Sequence, residues 1–110
     1  MHQVYDRAVD TAEPFEERMR LLREGYIASL PARLETMRLA LRAEDRATLQ
    51  QEAHRLAGTG QSYGLPQLTT WGREVERKCK AGATLEAMVV DLDALSGMLL
   101  EIVPLDLAGI

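Results

Sequence analysis

The chain has 110 residues, with 46% hydrophobic and 27% charged side chains, a balance that fits one globular domain and excludes disorder. A formal net charge of −4 provides no basic footprint, so nucleic acid and anionic membrane surfaces are poor partners. One cysteine, Cys79, excludes an internal disulfide and fits a reducing, cytoplasmic setting; two histidines with no Cys/His pairs of the zinc kind argue against a metal centre, and no apolar run nears the roughly 20 residues that span a bilayer.

Residues 1–13 carry Val4, Tyr5, Ala8 and Val9, enough for a short extra helix that packs as a lid on one end of a larger fold. A long helix begins at Pro14, with proline in its first turn and Glu16 and Glu17 at the positive end of its dipole. Phe15, Met19, Leu22, Tyr26, Leu30, Leu34, Met37 and Leu41 give it one core face to about Arg42. Pro31 predicts a kink in it, since Leu30 would be a poor N-cap for a new helix. Ala43 and Glu44 form a tight connection, and Asp45 caps a second helix from about Arg46 to Ser62.

Gly64-Leu65-Pro66 closes that helix and opens a third, whose stripe is Leu68, Gly72, Val75 and Cys79, with Trp71 half-buried at its border. Ala81-Gly82-Ala83 breaks the pattern and Thr84 caps a fourth helix, with Leu85, Met88, Val89, Leu92, Leu95, Leu99 and Ile102 in the core. Pro104 stops it, leaving 105–110 as a loose tail. The fold class is therefore all-α: an antiparallel four-helix bundle over 14–104.

The second helix holds the informative stretch. Leu49, Ala53, Leu56, Gly60 and Tyr63 form its buried stripe, and His54 lies about 100° around from Ala53, on a side shared with Gln50, Gln51, Ala57, Gly58 and Gln61. Helical side chains lean toward the N-terminus, so positions 57 and 58 would cover His54, and there the residues are alanine and glycine. Glycine costs roughly 1 kcal/mol against alanine inside a helix. Close packing accounts for Gly60 on the stripe, whereas Gly58 off the stripe leaves an uncovered imidazole.

The pattern His54-x-Leu56-x-Gly58, followed by Gly64 and then Val75-Glu76, resembles the histidine-containing phosphotransfer (HPt) domain of two-component phosphorelays, from about Phe15 to Val103. The resemblance implies a four-helix bundle whose exposed histidine, here His54, accepts a phosphoryl group. The donor is a phospho-aspartate or a histidine or hybrid kinase, and the group passes to an aspartate of a response-regulator receiver domain. It implies no kinase activity, no cofactor of the chain's own with Mg²⁺ supplied by the receiver, and a monomer, although Trp71 or the first helix offers surface for a dimer. It also gives Glu76 the role of orienting the imidazole; the alternative is a surface carboxylate paired with Lys80 or Arg73.

One departure stands out: the lysine usual three residues after the histidine is Ala57. Arg73 or Lys80, reaching across from the Glu76 helix, are the candidate phosphoryl contacts in its place. Gln50, Gln51, Ala57, Gly58 and Gln61 form the expected receiver-docking surface around His54. Two further readings compete with the carrier: a pseudo-HPt adaptor that binds a receiver without phosphotransfer, and a purely structural helical bundle.

Overall fold

The computed structural model describes the backbone of residues 12–108 and the side chains of 14–103. The extra helix expected over 1–13 lies almost wholly outside the described residues. Four α-helices, and no strand among the described residues, make up the fold: α1 (Ala12–Arg42), α2 (Arg46–Thr59), α3 (Pro66–Lys80) and α4 (Val89–Ala108).

The local signals behave as their chemistry requires. Asp45 accepts the Thr48 N–H at 3.1 Å and starts α2. Pro66 occupies the first turn of α3, where its missing N–H has no helical partner to lose. Gly64 and Gly82 take left-handed φ values of 77° and 80°, which end the segments before them. Thr84 accepts the Ala87 N–H at 3.2 Å and starts a 3-10 turn, Glu86–Met88, that runs into α4.

Neighbouring helices pack in a ring: α2 on α3 most extensively, α1 on both α2 and α4, and α3 on α4. Ile27, Leu30 and Met37 of α1, Leu49 and Leu56 of α2, Leu68 and Val75 of α3, and Met88 and Leu95 fill the core. Pro31 is exposed and α1 continues through it, because the buried residues on either side hold the helix across the lost hydrogen bond.

Five expectations need correction. Phe15, Met19 and Leu22 continue the α1 core stripe in sequence but are 54%, 41% and 55% exposed. Tyr26 already stacks on Tyr63 at the end of the α2 segment, ring centroids 4.3 Å apart, so the earlier turns of α1 overhang the bundle. Trp71 is buried instead of half-buried, with its indole N–H donated to the Asp91 carbonyl at 2.7 Å.

The second helix ends at Thr59, not Ser62; beyond Gly60 the chain tightens into a 3-10 turn, Gln61–Tyr63, in which the Tyr63 N–H reaches the Gly60 carbonyl. Val89 is exposed, because it stands one residue, about 100° of helix, away from the buried stripe of Met88, Leu92, Leu95, Leu99 and Ile102. Finally, α4 passes Pro104 and ends at Ala108; the fixed proline φ suits a helix, and only one backbone bond is forfeited.

Candidate functional site

The site stands on the α2–α3 seam, and Gly72 makes that seam possible. A Cβ on Gly72 would lie 2.5 Å from the Ala53 carbonyl oxygen and 2.6 Å from the Ala57 nitrogen, so only glycine allows the two backbones this approach. Gly60 is similarly enclosed, at 2.9 Å from the Leu65 oxygen and the Thr69 nitrogen. Buried Thr69 closes the same end, its hydroxyl accepting the Gln61 N–H at 2.8 Å. Sequence reasoning missed Thr69, since nothing local marks a helical threonine as an acceptor for a preceding turn.

Beside the seam, His54 is 70% exposed. Its Nδ1 lies 2.8 Å from Glu76 Oε2 on α3. An ionised carboxylate only accepts, so Nδ1 carries the proton, and in the neutral imidazole Nε2 is the basic nitrogen. Glu76 is 17% exposed, and its Oε2 also lies 3.3 Å from Lys80 Nζ. Partial burial pushes the Glu76 carboxyl up, but hydrogen bonds from His54 and Lys80, together with their charges, outweigh it and hold the group below its ordinary value.

An open depression beside this pair is lined by Ala47, Gln50, Gln51, His54, Glu76 and Lys80. The two glutamines thus fall where the sequence placed them, with Gln50 half-buried and Gln51 exposed; Ala47 was not foreseen. Gly58 and Gln61 are exposed further along, outside the depression, and nothing lies within 4 Å of where a Gly58 Cβ would stand. Ala57 is partly covered by α3 at Gly72. Of the two candidate cations, Lys80 lines the depression and is engaged on Glu76, whereas Arg73 is exposed and does not line it. Both pairings weighed for Glu76 thereby coexist on one oxygen, the imidazole and the Lys80 ammonium.

Among the described residues no group of three or more His, Cys, Asp or Glu side chains is placed to hold a metal ion. No helix there is long and apolar enough to cross a membrane.

A helical bundle that presents a carboxylate-tethered imidazole to solvent, the one imidazole among the described residues, is the form of a histidine phosphotransfer module. The family model of the Hpt domain matches residues 21–103, and the chain belongs to that family. Hpt domains are phosphotransfer carriers of two-component signalling and interact with kinases and receiver domains. No curated protein and no solved structure matches the chain.

Proposed function

We propose that this chain is a phosphorelay intermediate: His54 accepts a phosphoryl group from a receiver aspartyl phosphate or a kinase and returns it to a receiver aspartate. The observation that carries the reading is the exposed imidazole whose Nδ1 is held at 2.8 Å by Glu76. The Nε2 lone pair attacks phosphorus, the N–P bond forms, and the P–O bond to the donor aspartate breaks, returning its electron pair to the carboxylate. Nδ1 keeps its proton throughout, so the phosphorylated ring is formally cationic, and the Glu76 carboxylate opposite Nδ1 stabilises it. Return of the group reverses these bonds.

Gln50, Gln51, Ala57, Gly58 and Gln61 are then the surface offered to the receiver, whose acidic pocket supplies Mg²⁺. The chain itself acts without a cofactor, without kinase activity, and as a cytoplasmic monomer. Ala57 favours one competing reading, an adaptor that docks a receiver without transfer.

Purified protein mixed with phosphorylated receiver domains or autophosphorylated kinases, beside a His54→Gln control, decides between them. Acid-labile, alkali-stable label on the native chain alone establishes the carrier. Receiver binding without label establishes the adaptor.

A further inference from the structure

The depression beside His54 is lined by one cation. Lys80 is 62% exposed, and its Nζ lies 3.3 Å from Glu76 Oε2, the oxygen that also receives the His54 Nδ1 proton at 2.8 Å. Two positive or potentially positive groups thus share one acceptor. Residue 57, on the helix that carries His54, is an alanine and brings no charge.

Loading Nε2 changes both sides of this arrangement. The ring becomes cationic and makes a stronger claim on Glu76, while a phosphoryl group of nearly two negative charges enters the neighbourhood of Lys80. An exposed ammonium–carboxylate pair is held weakly, and a phosphoryl oxygen is the stronger acceptor. Gln50 and Gln51, the remaining polar side chains of the depression, carry no charge that would compete for the ammonium.

We infer that Lys80 has two positions: on Glu76 while His54 is free, and on the phosphoryl oxygens once His54 is loaded, where it prolongs the phosphohistidine and leaves Glu76 to the cationic ring. Lys80 supplies from α3 the charge that residue 57 does not supply from α2. The inference rests on the carrier reading.

The test uses the whole chain and phosphoramidate, which phosphorylates histidine without a protein donor: the donor P–N bond breaks, ammonia leaves, and the N–P bond forms at Nε2. Decay is followed by ³¹P NMR and the Lys80 ammonium by its ¹⁵N resonance. Lys80→Ala shortens the phosphohistidine lifetime roughly three- to tenfold, the scale of one lost charge-assisted hydrogen bond in water. Lys80→Arg retains most of the lifetime. Arg77→Ala removes a cation three residues away that is bound to Glu74, and it leaves the lifetime unchanged.

The Lys80 resonance moves on loading, and in Glu76→Gln it starts from a different position because its resting partner is gone. An unchanged lifetime in Lys80→Ala, or a Lys80 resonance indifferent to loading, overturns the inference while the carrier stands. Absence of phosphate on native His54 overturns both. A long-lived phosphohistidine that no receiver discharges refutes the relay and leaves the Lys80 exchange intact.

Discussion

The α2–α3 seam and the ledge around His54 share one helix and use glycine for opposite ends. At the seam, Gly72 has no room for a methyl group: Ala53 and Ala57 backbone atoms stand 2.5 and 2.6 Å from its would-be Cβ. On the ledge, Gly58 has nothing within 4 Å. The first glycine brings two helices close enough to set Glu76 against His54; the second leaves open space on the exposed side of α2, which in the proposed relay is where the receiver approaches. Reactive groups placed on rigid elements and left uncovered are what a transfer module needs, and here a few residues of α2 and α3 meet both demands.

Breaking the seam has the largest effect. Gly72→Leu forces backbone against side chain and destabilises the fold by about 3 kcal/mol or more, the upper range for overpacking. The melting midpoint then falls by on the order of 15 °C, and phosphoryl uptake falls as His54 and Glu76 separate. A midpoint near the native one would mean that the helices slide apart without penalty and that the seam fixes nothing. Gly60→Ala tests the same seam at its end, against the Leu65 oxygen and Thr69 nitrogen at 2.9 Å. It costs about 1–2 kcal/mol in denaturant unfolding, less because a single methyl group has to be accommodated.

Glu76 belongs to both regions, since its backbone lies on the packed helix and its carboxylate meets the ledge. Glu76→Ala leaves the melting midpoint at neutral pH near that of the native chain but slows phosphoryl uptake roughly tenfold or more through loss of the tautomer-fixing hydrogen bond. Its carboxyl is held below the ordinary 4.5, so whatever stability it adds is complete above that pH and is lost as pH falls through the folded value. Melting curves therefore show a shallower loss below about pH 4.5 in Glu76→Gln than in the native chain. Equal acid sensitivity would detach Glu76 from its two partners.

Most of this was legible in the sequence because it is local chemistry. Asp45, Pro66, Gly64, Gly82 and Thr84 mark helix ends through their own backbone or side-chain bonds, and the apolar spacing identifies Leu49, Leu56, Leu68 and Val75 as core. The His54 ledge was legible for the same reason, as a gap in the pattern of covering side chains. What escaped depends on where one helix stands against another. The stripe through Phe15, Met19 and Leu22 reads as core, yet those turns run past the end of the bundle. Trp71 is buried because the Asp91 carbonyl, 20 residues away, accepts its indole N–H. Lys80 was foreseen as a cation near the site, but not that it shares a single oxygen with the imidazole, which only the meeting of α2 and α3 decides.

At Gly58 a substitution is expected to stabilise the chain, opposite in sign to those at Gly72 and Gly60. Gly58→Ala adds a methyl group where the structure leaves open space and replaces the poorest non-proline helix former with the best. Stability should rise by about 0.5–1 kcal/mol, read from the denaturant midpoint at unchanged slope. A larger side chain at 58 fills open space that the proposed reading assigns to the receiver, so Gly58→Leu should keep the fold while slowing transfer from a phosphorylated receiver more than labelling by phosphoramidate, which needs no docking surface. Equal slowing of both donors would place the obstruction at the ring itself and not at the docking surface. If Gly58→Ala instead destabilised the chain, Gly58 would be a packing glycine like Gly72, and the ledge would lose its distinction from the seam.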